Sequence, residues 1–95
     1  MIKVIAQFRF NPDDLPQVRT LCETLVAATR AEEGCIQYDL LENAQDPAQL
    51  TILETWASQQ ALDVHSATKH FTDIVPQLAK LSVEAPVVTT YTQII

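Results

Sequence analysis

Residues 1–10, with the sequence MIKVIAQFRF, determine the first element of the fold. Apolar side chains occupy every second position: Ile2, Val4, Ala6, Phe8 and Phe10. The positions between them hold Lys3, Ile5, Gln7 and Arg9. Because successive side chains of a strand point to opposite faces, this alternation predicts a strand from Ile2 to Phe10 with one buried face.

The pattern changes to helical spacing after the turn-forming residues 11–14. Small and apolar residues then recur every three or four positions: Leu15, Val18, Cys22, Leu25 and Thr29. This spacing predicts an amphipathic helix. We expect Gly34 to end it, because glycine adopts the left-handed conformation that commonly closes a helix. Two further helical segments are predicted. A short one begins after Ser58, a favourable N-cap residue, and runs through His65, and a second one has Phe71, Ile74, Val75, Leu78 and Leu81 on one side.

Three further segments have the composition of strands. Residues 35–41 and 50–56 alternate again and predict a hairpin, and residues 87–95 are rich in β-branched side chains. The loop of the hairpin is expected to be polar and to contain Asn43, Asp46 and Pro47. The order β-α-β-β-α-β predicts one α+β domain over residues 1–95, with a ferredoxin-like antiparallel sheet.

Composition and charge exclude several classes of function. The 95 residues carry a net charge of −6, and no Lys or Arg occurs between residues 31 and 68. Nucleic-acid backbones and anionic membrane surfaces would be repelled by this acidic stretch, so we expect neither as a partner. Gly34 is the only glycine, which excludes glycine-rich phosphate loops.

The two cysteines indicate neither a disulfide framework nor a structural zinc site. Cys22 and Cys35 form no C-x-x-C pair, and no spaced histidine pair accompanies them. Polar and charged residues also interrupt the apolar run at residues 1–10, which differs from a secretory signal. We therefore expect a cytoplasmic location.

One face of the predicted sheet is too apolar to be freely solvated. Its expected members are Ile5, Gln7, Leu53, Thr55, Val88, Thr90 and Ile94. Small domains often gain core by oligomerising, and a second sheet would cover this face. We therefore expect a homodimer.

Three segments together resemble a known family. Residues 33–38 (EGCIQY), 54–56 (ETW) and 61–71 (ALDVHSATKHF) are similar to the E-x-G-C-x-x-Y, E-x-W and H-x-x-x-x-H-F elements of antibiotic biosynthesis monooxygenase domains. The resemblance implies a dimeric α+β barrel. It also implies cofactor-independent oxygenation of quinols or polyphenols by O2, or proton-transfer isomerisation as in some members of the family.

This chemistry requires a base in a dry pocket, because the substrate itself must become electron-rich before it reacts with O2. His65 is the expected base, since an unperturbed imidazole titrates near neutrality. Glu54 is the second expected catalytic residue, orienting the imidazole or a substrate hydroxyl. The expected substrate-binding residues are Trp56, Tyr38, His70 and Phe71. No cofactor is expected.

Each of these residues also has a purely structural interpretation. Trp56 and Tyr38 are typical core residues, and His70 could hydrogen-bond across a break between two helical segments. A metal site is not expected, because residues five apart on a continuous helix point about 140° away from each other. The acidic side chains from Glu32 to Asp63 are expected to form a solvated surface.

Other functions remain open at this point. An isomerase could use the same histidine to move a proton on a small carbonyl compound, and a dimeric binding or stress module could retain the fold without catalysis. Haem degradation is the least favoured alternative. Relatives with that activity use an Asn, Trp and His set, whereas here Gln7 lies near the Asn position and Trp56 is the only tryptophan.

Overall fold

The computed structural model describes residues 1–95 as four strands and three α-helices. The strands are β1 (Ile2–Arg9), β2 (Cys35–Asn43), β3 (Asp46–Trp56) and β4 (Val87–Thr92). The helices are α1 (Leu15–Arg30), α2 (Gln59–Ser66) and α3 (Lys69–Leu81), and a short 3-10 turn (Pro12–Asp14) precedes α1. The predicted element order is confirmed, including the two helical segments after Ser58, which are α2 and α3.

The four strands form one antiparallel sheet in the order β2-β3-β1-β4. This is the predicted α+β, ferredoxin-like arrangement. The helices cover one face of the sheet, and the core between the two layers includes Val4, Ala6, Phe8, Val18, Leu25 and Leu78. The prediction from residues 1–10 that one face of the first strand is buried is therefore confirmed. No helix combines the length and the hydropathy that crossing a membrane would require.

The predicted element boundaries need correction at the hairpin and at the ends of strands. Asn43 pairs with Asp46, so both belong to strands and the connecting loop contains only residues 44–45. The Asn43 side-chain oxygen accepts a hydrogen bond from the backbone of Gln45, which favours this tight turn. β1 ends at Arg9, and Phe10 forms an isolated bridge with Ser82 instead.

Two residues assigned to the outer face of the sheet lie on the helix-covered face. Antiparallel partners share a face, and Val88 pairs with Ala6 while Thr90 pairs with Val4. The outer face of β4 instead carries Val87, Thr89 and Tyr91. A bulge between Cys35 and Gln37 also changes the start of β2, where Cys35 rather than Ile36 pairs with Trp56.

Gly34 occupies a position that only glycine fills without strain. α1 already ends at Arg30, so Gly34 does not close the helix directly as predicted but ends the turn that leads into β2. Its φ is +86°, and a Cβ built there would lie 2.6 Å from the Cβ of Ala61 on α2. The absence of a side chain therefore lets α2 approach the start of β2.

We predict that Gly34→Ala destabilises the protein by roughly 2–5 kcal/mol, from the left-handed backbone and the clash with Ala61. Chemical denaturation would measure this change. The contact with Ala61 is tested by a double-mutant cycle, in which Gly34→Ala should destabilise less in an Ala61→Gly background. Equal effects in both backgrounds would contradict the proposed close approach.

Candidate functional site

His65 lies at the centre of a cluster of aromatic rings between the sheet and the helices. Its side chain is 1% exposed. Its ring centroid is 4.5 Å from that of Trp56, 5.1 Å from Phe71, 5.5 Å from Tyr38 and 6.0 Å from His70. The structure thus brings the expected base together with all four expected substrate-binding residues.

The break between α2 and α3 places the two histidines. Ser58 caps α2 by accepting a hydrogen bond from the backbone of Ala61, as predicted. Thr68 then begins α3 in the same way, accepting from the backbone of Phe71 while its hydroxyl donates to the His65 carbonyl oxygen. The chain changes direction at this break. His65 and His70 therefore meet in space although they belong to different helices.

The carboxylate of Glu32 joins both imidazoles. Its Oε2 lies 2.7 Å from Nδ1 of His65 and 2.8 Å from Nε2 of His70. The expectation that the two histidines point about 140° apart is therefore wrong, because it assumed one continuous helix. His70 also does not bridge the helical segments directly, since its ring bonds to Glu32 in the turn after α1.

This arrangement leaves one nitrogen of His65 available. A carboxylate oxygen can only accept a hydrogen bond, so Nδ1 of His65 carries the donated proton. The other nitrogen, Nε2, is buried and has no hydrogen-bond partner. Burial lowers the pKa of His65, and this effect outweighs the opposing influence of Glu32. A neutral imidazole in this tautomer presents the lone pair of Nε2, which can accept a proton.

Glu54 is buried beside the cluster and bonds to Trp56 rather than to His65. The indole Nε1 of Trp56 donates to Oε1 of Glu54 over 2.9 Å, so Trp56 is the donor for this buried carboxyl group, and Glu32 rather than Glu54 orients the His65 imidazole. Burial raises the pKa of Glu54 to about 7. Burial also raises the pKa of Tyr38, which keeps the phenol protonated.

Glu32 is the residue that the sequence interpretation missed. It was assigned to a solvated surface, yet its side chain is only 11% exposed. The spacing of the E-x-G motif contained the signal: with Gly34 in the third position, the first position is Glu32 rather than Glu33. The first position of the motif was instead matched to the neighbouring Glu33, and Glu32 was therefore overlooked.

Two clefts flank α1, and one of them reaches the cluster. One, of about 610 Å³, is between α1 and the β2–β3 hairpin and is lined by residues that include Arg19, Val26 and Leu40. The other, of about 520 Å³, is between α1 and α3 and is lined by residues that include Thr24, His70 and Asp73. His70, which is 20% exposed, therefore connects Glu32 with the second cleft.

Comparison with known proteins identifies the family. A family model described as "antibiotic biosynthesis monooxygenase" matches residues 1–77. "Putative monooxygenase Rv0793" of Mycobacterium tuberculosis is 36% identical over 88 residues, which are 93% of this chain and 86% of that protein. "Putative monooxygenase YcnE" of Bacillus subtilis is 33% identical over 75 residues, which are 79% of each protein.

Solved structures agree with this assignment. A structure described as that of an antibiotic biosynthesis monooxygenase is 36% identical, with a TM-score of 0.94 and complete coverage of both chains. A conserved protein from Methanosarcina mazei Go1 is 32% identical, with a TM-score of 0.94 over 97% of this chain and 91% of that chain. The resemblance seen in the sequence is confirmed, and the chain belongs to the antibiotic biosynthesis monooxygenase family.

Proposed function

We propose that the protein is a cofactor-independent monooxygenase that oxidises a small hydroxylated aromatic compound, of the quinol or polyphenol type, with O2. The observation that carries the proposal is the buried Nε2 of His65, which lacks a partner while Nδ1 is held by Glu32. A base must have a free lone pair and a fixed orientation, and this residue has both. Membership of a monooxygenase family supports the reaction type.

The reaction begins with transfer of a substrate hydroxyl proton to Nε2 of His65. The resulting imidazolium is stabilised by the adjacent carboxylate of Glu32, which acts in a site largely closed to water. The deprotonated aromatic ring is electron-rich and supplies the electrons that O2 requires. One oxygen atom enters the product, and the other leaves as water with two hydrogens from the substrate.

The aromatic residues around His65 suit such a substrate. Trp56, Tyr38 and Phe71 surround the imidazole at stacking or edge-on distances, so a planar hydroxylated ring that reaches Nε2 would contact their faces and edges. None of these rings lines the two clefts described above, so substrate entry requires this packing to open. Glu54 adds a carboxyl group with a pKa of about 7. Its protonated form can donate a hydrogen bond to a substrate oxygen, which is the catalytic role that we propose for it.

We also propose that the domain functions as a homodimer. Only 17 of 95 residues are buried in the single chain, so its core is small. The outer face of the sheet carries Ile5 and Leu53 as neighbours, with exposed Val87 beside them. A polar row on the same face is linked by hydrogen bonds, because Lys3 donates to Thr55 and Thr55 donates to Gln37. A second sheet could cover the apolar neighbours while these hydrogen bonds are kept.

Two further parts of the proposal concern the chain as a whole. Residues 1–95 would act as a single domain of this family, since β4 completes the sheet by pairing with β1. We also propose a cytoplasmic location, which the free thiols of Cys22 and Cys35 support because reducing compartments keep cysteines unpaired.

We predict that His65→Ala lowers turnover by roughly 100-fold to 10,000-fold, the usual contribution of a positioned general base. Glu32→Gln keeps an acceptor oxygen but loses the negative charge, so it should cause a smaller loss. The measurement is oxygen consumption with a panel of quinols and anthrones in metal-free buffer. The matched control is Gln59→Ala, an exposed residue of the same helix, which should retain wild-type turnover.

A folded His65→Ala protein with wild-type turnover would exclude His65 as the base. Proton exchange on a carbonyl substrate without oxygen consumption would contradict the oxygenation proposal and favour the isomerase alternative. Circular dichroism and thermal unfolding of each variant would show that the effect on turnover does not come from loss of fold.

For the homodimer, we predict a sedimenting mass of about twice the 10.6 kDa chain at micromolar concentration. Leu53→Lys places a charge in the middle of the outer face and should shift the protein to monomer. Val64→Lys, at an exposed apolar position on α2, is the matched control and should leave the mass unchanged. A wild-type protein that sediments as a folded monomer would overturn the proposal.

A further inference from the structure

Glu32, His65 and His70 bring three metal-ligating atoms together. The carboxylate Oε2, the Nδ1 of His65 and the Nε2 of His70 all lie within 4.8 Å of one another. Two imidazoles and one carboxylate are a ligand set that zinc and other divalent transition metals use in proteins, with the remaining positions open to water. We propose that this cluster is a binding site for a divalent transition-metal ion.

To accept an ion, the carboxylate has to withdraw and the two imidazole nitrogens, which lie within 4.8 Å of each other, have to reach the spacing of metal ligands. Ligands around a tetrahedral zinc, each about 2.0–2.1 Å from the metal, lie about 3.3 Å apart. The carboxylate oxygen is now 2.7 and 2.8 Å from the two nitrogens, so it has to withdraw by about half an ångström from each. Glu32 lies in the turn between α1 and β2, outside any helix or strand, and is therefore the ligand best able to move.

A second observation points to a missing partner at the same place. The other carboxylate oxygen of Glu32, Oε1, is buried and forms no hydrogen bond. Buried carboxylate oxygens are normally satisfied, and a water molecule held by the metal ion would donate to this one. The cleft between α1 and α3 provides a route for the ion, because His70 lines it.

Metal binding would change the state of His65. Coordination through Nδ1 moves the imidazole proton to Nε2, because a neutral ring carries one proton and offers one lone pair. The ring then has no lone pair left to accept a proton from a substrate. The bound ion would therefore inhibit turnover, and this consequence, unlike the binding itself, depends on the function proposed above.

The test is a titration of chelator-treated, dialysed protein with ZnCl2, followed by calorimetry in the absence of substrate. We expect one Zn²⁺ per chain, with a dissociation constant of about 1 µM or below. His70→Gln removes one ligand and should weaken binding roughly 10-fold or more. Asp73→Asn, which changes the same cleft outside the cluster, is the control and should bind as the wild type does.

The absence of saturable binding up to about 100 µM Zn²⁺ would overturn the proposal, and so would equal affinities of wild type and His70→Gln. Glu32→Gln serves as the second variant if His70→Gln does not fold, as judged by thermal unfolding. Because binding is measured without substrate, failure of the oxygenation proposal leaves this test intact. Inhibition of oxygen consumption by Zn²⁺ is then a separate readout.

Discussion

The cluster around His65 depends on the carboxylate of Glu32, which accepts hydrogen bonds from two imidazoles carried by different helices. The three side chains are largely shielded from water. In such an environment charge-assisted hydrogen bonds are strong, and an unpaired polar group destabilises the fold. Removing Glu32 would leave Nδ1 of His65 buried without an acceptor. One side chain therefore fixes the packing of α2 and α3 against the turn after α1, and also the tautomer of the proposed base.

The short turn that carries Glu32 contributes both to the packing of the fold and to the proposed site. The same turn ends at Gly34, whose missing Cβ lets α2 approach, and whose carbonyl oxygen accepts from the backbone of Ala57 after β3. The close approach of Ala61 to Gly34 brings α2, which carries His65, toward the start of β2, and the rings of His65 and Trp56 lie 4.5 Å apart. A residue with a side chain at position 34 would push apart the elements that form the site.

The sequence predicted the parts of the fold that depend on local periodicity. Alternation along β1 identified Val4, Ala6 and Phe8 as buried because a strand with one covered face must place its apolar residues there. Two features could not be predicted from local periodicity. Spacing predicted two helical segments but not that the break falls at Ala67 and Thr68. The directions of the two histidines were predicted for one continuous helix, so their meeting was missed. Residues of β4 are mostly exposed on both faces, so only its pairing with β1 reveals which side they occupy.

The central claim is that Glu32 holds His65 with its proton on Nδ1 and a free lone pair on Nε2. The most direct test is a long-range proton–nitrogen correlation spectrum of the ¹⁵N-labelled, metal-free protein at neutral pH, with His65 assigned by its absence in His65→Ala. A His65 ring held in this way gives a protonated-type shift for Nδ1 and an unprotonated-type shift for Nε2, and Glu32→Ala should remove this preference. A His65 ring protonated on Nε2 instead, or averaged between tautomers as in a free imidazole, would contradict this claim.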